Sequence, residues 1–185
     1  MGATIEQEGK QKMETTILLL QKEMAGIRTG RASAGLLDTI HVDYYGTQTP
    51  IKQMATVSTP EPRVIVIQPW DVSAMPAIEK AIKTSDLGLT PQNDGKVIRL
   101  NMPPPTEERR KELVKMVKKI GEENKVAIRN IRRDAMDKVK TKLKNKELSE
   151  DEEKKIETRI QKITDEFVTK VDSIVHNKEK EVMEN

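Results

Sequence analysis

Histidine and cysteine, two side chains that often perform catalysis, are scarce or absent in this chain of 185 residues. Its only histidines are His41 and His176, which the sequence pattern assigns to different domains, and it has no cysteine. A lone histidine lacks the partner that orients a catalytic imidazole. The absence of thiols excludes cysteine nucleophiles, disulfides and most zinc sites. The residue types therefore favour a protein that is not an enzyme.

Two further segments match ligand-binding motifs only in part. The segment from Gly30 to Gly35 has the first half of a phosphate-binding P-loop, but Leu36 and Leu37 stand where that motif needs Lys and Ser or Thr. The acidic run from Glu150 to Glu153 lies where a helix is predicted to begin, so the helix dipole already explains it. It also lacks the ligand spacing of a calcium loop. We therefore expect no cofactor and no metal.

Basic residues are concentrated in one part of the chain. The formal net charge is +3, but residues 109–146 hold 15 Lys and Arg against 5 Asp and Glu, a net of +10. Residues 147–185 hold 7 basic and 12 acidic residues, a net of −5. A strongly basic helix is typical of a surface that contacts nucleic-acid phosphates. Because aromatic residues are scarce, the sequence favours structured RNA contacted through its backbone, although composition alone does not separate RNA from DNA.

The centre of the basic segment is an arginine cluster formed by Arg129, Arg132 and Arg133. On a helix with about 100° per residue, and with Ile131 at the middle of the buried stripe, these arginines and Lys125 point away from the stripe. Guanidinium groups suit bidentate contacts with phosphate and stacking on bases. The cluster therefore predicts an RNA-binding face. The alternative is a helical scaffold or chaperone-like binding protein whose basic face is merely solvated.

Three apolar stripes with helical spacing predict a three-helix bundle. They run from Met13 to Ile27, from Leu113 to Val139 and from Ile156 to Ile174. The second helix is predicted to begin after Thr106 and to continue for roughly 40 residues, about 60 Å at ~1.5 Å per residue. Ser149 is predicted to open a capping box at the start of the third helix.

The segment between the first two stripes predicts a different structure. Strand patterns occupy residues 40–44, 64–67 and 97–100, and residues 73–85 place their apolar side chains on one helical face. The predicted fold class is α+β, an elongated protein of two domains. Residues 1–30 and 106–185 form the three-helix bundle, and residues 31–105 form an inserted small α/β domain of β/α/β order. The two connections are predicted to act as a hinge made of Gly30, Arg31, Pro103, Pro104 and Pro105.

Five segments are similar to the signature segments of bacterial ribosome recycling factors. They occur in the same order along almost the whole chain, at residues 27–33, 44–47, 85–89, 104–110 and 126–135. The resemblance implies an L-shaped molecule, similar in outline to transfer RNA, in which a hinged α/β domain is joined to a three-helix bundle.

The resemblance also implies a function. Such factors bind the ribosome after peptide release and, with elongation factor G and its GTP hydrolysis, split it into subunits and free it from mRNA. Carried over by position, Arg129 and Arg132 would contact ribosomal RNA of the large subunit, with Arg28 and Arg110 as helpers near the hinge. A cytoplasmic monomer with no membrane partner is expected. Salt-dependent co-sedimentation with large ribosomal subunits would separate this function from the scaffold alternative.

Overall fold

The computed structural model describes residues 4–184 and divides into two compact units. One unit is formed by residues 4–28 and 107–184, and the other is Thr29–Thr106. In chain order, the helices are α1 (Ile5–Ala25), α2 (Met75–Lys83), α3 (Glu107–Lys144) and α4 (Glu150–Glu184). The strands are β1 (His41–Tyr44), β2 (Thr47–Pro50), β3 (Ala55–Glu61), β4 (Val64–Pro69), β5 (Pro91–Asn93) and β6 (Ile98–Asn101). Short 3-10 turns cover Ala34–Leu37, Ile51–Gln53 and Val72–Ala74.

The first unit is a bundle in which α1, α3 and α4 all pack against one another, so the predicted three-helix bundle is confirmed. Its core consists of aliphatic side chains that recur every three or four residues, together with Phe167. The predicted stripe of α1 is buried at Met13, Ile17, Leu20 and Met24. Burying these stripes against one another is what stabilises helices that would be marginal alone in water.

Local signals in the sequence fix where two of these helices begin. Thr4 and Gln7 form a capping box before α1. The predicted capping box before α4 is confirmed: the Ser149 N–H donates to Glu152 Oε2 at 2.8 Å, and the Glu152 N–H donates to Ser149 Oγ at 3.2 Å. Each box satisfies backbone donors that the first turn of a helix leaves without partners.

Gly121 is buried on α3, where this helix packs against α4. A Cβ atom at this position would lie only 2.5 Å from Cγ2 of Val175 on α4. The missing side chain therefore sets the spacing between the two long helices, because any larger residue would have to displace Val175 or separate the helices.

The second unit contains all the strands that lie in residues 4–184. A four-stranded sheet has the order β3-β4-β6-β5, every neighbouring pair is antiparallel, and β1 and β2 form a separate hairpin. The hairpin turns at Tyr45 and Gly46, whose φ values of 51° and 80° are those that a tight two-residue turn needs. The buried face of α2, which carries Ile78 and Ile82, contributes to the same core as the sheet.

The predicted strands at 40–44, 64–67 and 97–100 and the helix within 73–85 are all present, whereas β2, β3 and β5 were not predicted. Strands β4 and β6, which were predicted on either side of helix α2, pair with each other in antiparallel orientation. They do so because the chain passes through β5 after α2 and then turns back into β6. None of the helices in the described part of the chain combines the length and the apolar composition of a membrane span.

Candidate nucleic-acid interface

The arginine cluster lies in the middle of α3, on a helix of 38 residues. Arg129 and Arg133 are exposed and lie four residues apart, so they are neighbours on one face of the helix. Among residues 4–184, neither guanidinium group forms an ion pair or a side-chain hydrogen bond with another residue. Both therefore keep a full positive charge and all their N–H donors available to a ligand.

Arg132 occupies a different position, at the edge of the contact between α3 and α4. It is partly buried, and its Nη1 donates a hydrogen bond to Oε1 of Gln161 on α4 at 3.2 Å. The Gln161 Nε2 donates in turn to Oδ1 of Asp165 at 2.8 Å, one helical turn further along α4. This network fixes one side of the Arg132 guanidinium against the bundle.

Lys125 also lies at this edge, and its side chain is only 18% exposed. Its ammonium group forms an ion pair with Asp172 on α4 and another, at 3.2 Å, with Glu122 on α3. The hydrogen bond with Asp172 is the main reason that the pKa of Lys125 is raised, and burial opposes it. Two carboxylates thus compensate the positive charge of Lys125.

The prediction that Lys125 and Arg132 point away from the bundle was wrong. The prediction placed Ile131 at the middle of the buried stripe, but Ile131 is only partly buried, whereas Ile128 is fully buried. These two isoleucines differ by about 60° around a helix with ~100° per residue, so Arg132 lies about 40° and Lys125 about 60° from Ile128. The prediction therefore placed both residues on the solvent face, whereas they lie at the edge of the contact between α3 and α4.

Arg28 and Arg110 do not join the arginine cluster. Arg110 is 19 residues before Arg129 on the same helix, which is about 28 Å along its axis. Arg28 is exposed and lines a groove of about 800 Å³ between α1 and α3, together with Arg109 and the apolar side chains of Leu19 and Met116. The predicted RNA-binding residues thus belong to two separate regions of the bundle. The spacing of residues along the chain does not predict this groove, because an exposed leucine on one helix gives no sign of what faces it.

The predicted hinge residues lie in and next to the segments where the chain passes between the two units. Gly30 has a φ of 81°, and a Cβ atom there would lie 3.1 Å from Cδ of Pro105. Both the backbone conformation and the close proline favour glycine at this position. Arg31, Pro103 and Pro104 are exposed. Their role in bending remains a prediction.

The residues considered for catalysis or metal binding do not come together into a site within residues 4–184. His41 on β1 and His176 on α4 are exposed and belong to different units. Within residues 4–184, no group of three or more His, Asp or Glu side chains could hold a metal ion. Glu150–Glu153 occupy the first turn of α4, as the capping interpretation requires.

Comparisons with known proteins agree in the family that they indicate. The sequence profile described as "Ribosome recycling factor" matches residues 20–183. A "Ribosome-recycling factor" of Geobacillus kaustophilus (strain HTA426) is 55% identical over 184 residues, and the match covers 100% of both chains. One from Nitratidesulfovibrio vulgaris (strain DP4) is 56% identical over 177 residues, covering 96% of this chain and 95% of the relative.

Solved structures give the same result for the fold. A solution structure of the ribosome recycling factor is similar with a TM-score of 0.71 and 45% identity, covering 98% of this chain and 96% of that chain. A second match, with a TM-score of 0.61, 50% identity and coverage of 97% and 99%, is a Thermus thermophilus ribosome recycling factor described with Escherichia coli elongation factor G, both bound to the E. coli post-termination complex. The α+β fold, the profile match and the close relatives along the whole length together confirm the resemblance, and the chain belongs to the ribosome recycling factor family.

Proposed function

We propose that this chain binds the post-termination ribosome and, together with elongation factor G and GTP, splits it into subunits. Membership of the family supports this function, as does the similarity to a factor described on the post-termination complex with elongation factor G. GTP hydrolysis belongs to the partner, and the chain itself contributes binding and movement rather than bond chemistry. It acts as a monomer in the cytoplasm, where its ribosomal partner is found.

The arginine cluster is the part of the surface that we assign to ribosomal RNA of the large subunit. The observation that carries this assignment is that the Arg129 and Arg133 guanidinium groups are exposed and have no partner within residues 4–184. Arg132 lies beside them with one side fixed and the rest of its fork open. A rigid helix thus presents three planar cations to a polyanion, which suits bidentate contacts with phosphate.

The other predicted RNA-binding residues have smaller or separate roles in this proposal. Lys125 contributes less to RNA affinity than the arginines, because Asp172 and Glu122 already compensate its charge. Arg28 and Arg110 form a second region, about 28 Å along α3 from the arginine cluster. Contacts at both regions would fix the direction of the long helix on the RNA as well as its position.

The hinge supplies the movement. We assign it to Gly30, Arg31 and Pro103 to Pro105, because two short segments join the units and Gly30 adopts a conformation that larger residues disfavour. Elongation factor G would act on the smaller unit or the hinge while the arginine cluster holds the bundle. The long helices of the bundle then transmit the movement to contacts between the ribosomal subunits.

Binding to isolated large ribosomal subunits at several salt concentrations tests the RNA assignment. The Arg129→Ala/Arg132→Ala variant is expected to bind at least about 100-fold more weakly, since hydrogen bonds to charged groups contribute roughly 1.5–3 kcal/mol each and two arginines are removed. The slope of log affinity against log salt is expected to become shallower by about 1 for each phosphate that the variant no longer binds.

The matched control is Lys154→Ala/Lys155→Ala, which removes the same charge from an exposed part of α4. Equal decreases in affinity in the two variants would contradict the assignment, because they would reflect net charge rather than a specific face. Unchanged binding of the arginine variant would contradict it as well.

A further inference from the structure

We propose that Gln161 on α4 is a positioning residue that presents Arg132 to ribosomal RNA, and that Asp165 sets the orientation of the Gln161 amide. This inference rests on the proposed function, because it concerns how one residue of the arginine cluster reaches its ligand.

The geometry forms a chain of two hydrogen bonds that crosses from α3 to α4. Arg132 Nη1 donates to Gln161 Oε1 at 3.2 Å, and Gln161 Nε2 donates to Asp165 Oδ1 at 2.8 Å. If the amide were reversed, its oxygen would face the carboxylate and its NH2 group would face the guanidinium, so neither hydrogen bond could form. Asp165 therefore keeps the amide in the orientation in which it accepts from Arg132.

A neutral acceptor is suited to this task in a way that a carboxylate is not. Arginine has five N–H donors in a rigid fork, and Gln161 takes up one of them without removing the positive charge. Lys125 shows the contrast on the same edge of the helix contact: its ammonium is paired with two carboxylates. The amide restrains the Arg132 fork and leaves both its charge and its remaining donors to phosphate.

Gln161 is expected to increase the affinity for RNA by preorganising the Arg132 side chain. A long side chain that is already held in its binding geometry loses less freedom when the ligand arrives. Removing the Gln161 amide is therefore expected to weaken binding about threefold to tenfold, without changing the number of charges that meet the RNA. Affinity and salt dependence thus respond differently to removal of the positioning residue and to removal of the arginine itself.

The test is a double-mutant cycle on binding of the full-length chain to purified large ribosomal subunits at several salt concentrations. The variants are Gln161→Ala, Arg132→Ala and the combination, with Gln21→Ala on the exposed surface of α1 as a matched control. Gln161→Ala is expected to weaken binding only where Arg132 is present and to leave the salt dependence unchanged. Arg132→Ala is expected to weaken binding and to lower the salt slope by about 1.

Two further variants probe the mechanism without removing the arginine. Gln161→Glu replaces the amide with a carboxylate that pairs with Arg132, and it is expected to lower the salt slope towards that of Arg132→Ala. Asp165→Ala frees the amide, and it is expected to weaken binding in the wild-type background but not in the Gln161→Ala background. Thermal unfolding of each variant identifies any general decrease in stability.

The possible outcomes separate the inference from the proposed function. If Arg132→Ala binds as tightly as the wild type, the proposed RNA contact of Arg132 fails. If Arg132→Ala weakens binding but Gln161→Ala has no effect, or has the same effect in both backgrounds, the RNA contact stands and the positioning role is overturned.

Discussion

Substitution of Gly121 by alanine tests how closely α3 and α4 must pack. The new methyl group would lie 2.5 Å from Val175 Cγ2 and 3.7 Å from its Cβ, so some atom must move. Valine in a helix strongly prefers one χ1 rotamer and cannot easily turn its methyl groups away. We therefore expect the contact to be relieved by a strained rotamer or by a wider separation of the two helices.

Two opposing effects determine how much Gly121→Ala changes the free energy of unfolding. Overpacking a core contact costs about 1–3 kcal/mol, whereas replacing glycine by alanine inside a helix gains about 1 kcal/mol. Gly121→Ala is therefore expected to lower the free energy of unfolding by about 1 kcal/mol. At Gly9 on α1, a new Cβ would meet Ala135 Cβ at 3.8 Å, an ordinary contact, so Gly9→Ala keeps the gain of about 1 kcal/mol.

The assay is thermal unfolding followed by far-UV circular dichroism, which reports mainly on the helices. A difference of about 2 kcal/mol between the two alanine variants corresponds to roughly 4–8 °C in midpoint for a chain of this size. Val175→Ala in the Gly121→Ala background is expected to recover stability relative to the sum of the single effects. The reasoning is refuted if the Gly121→Ala variant is as stable as the Gly9→Ala variant. It is also refuted if the effects of Gly121→Ala and Val175→Ala on stability are additive.

Three further predictions concern the turn after α3, the start of α4 and the small unit. Lys146 has a φ of 59°, so Lys146→Gly is expected to raise the free energy of unfolding by about 0.5–1 kcal/mol in urea titrations, and a decrease would contradict this. Ser149→Ala removes a helix cap and is expected to lower the free energy of unfolding by about 1 kcal/mol, while Ser149→Thr retains most of the stability. The hydrogen bond from the Tyr44 hydroxyl to Asp71 raises the pKa of Tyr44 from 10.0 to about 12, so absorbance titration of a Tyr45→Phe variant is expected to show a midpoint of about 12 that Asp71→Asn lowers. Because folding raises the pKa of Tyr44, its hydrogen bond with Asp71 stabilises the fold fully below pH 10.0, and this stabilisation is lost as pH rises through about 12. A stabilisation by this hydrogen bond that stayed constant across this pH range would contradict the prediction.

The helices could be predicted from the sequence because their signals are local and repeated. In α1, Met13, Ile17, Leu20 and Met24 recur at helical spacing, and all four are buried. The Ser149 capping box likewise needs only residues that are close in the chain. Signals of this kind do not depend on which other part of the chain packs against them.

The missed strands have no comparable local signal. In β3 only Ala55 is buried, and the strand also contains Pro60 and several Ser and Thr residues. Its extended conformation is stabilised by pairing with β4, which is a contact between different segments of the chain. In β5 there are three residues, beginning with Pro91, which are too few to show alternation.

The candidate site shows the same division between local and non-local information. The sequence predicted that Arg129 and Arg133 would be exposed, and they are. It misplaced Arg132 because the apolar pattern around Ile128 and Ile131 allows two positions for the centre of the stripe, about 60° apart. The hydrogen bond from Arg132 to Gln161 joins residues 29 positions apart on different helices, so spacing along α3 could not reveal it.

Splitting of post-termination ribosomes into subunits, measured with elongation factor G and GTP, is the most direct test of the proposed function. We expect the wild-type chain and the Lys154→Ala/Lys155→Ala control to split ribosomes only when both the elongation factor and GTP are present. We expect Arg129→Ala/Arg132→Ala to lose most of this activity while unfolding at a temperature similar to that of the wild type. Normal splitting by the arginine variant, or no splitting by the wild-type chain under these conditions, would contradict the account.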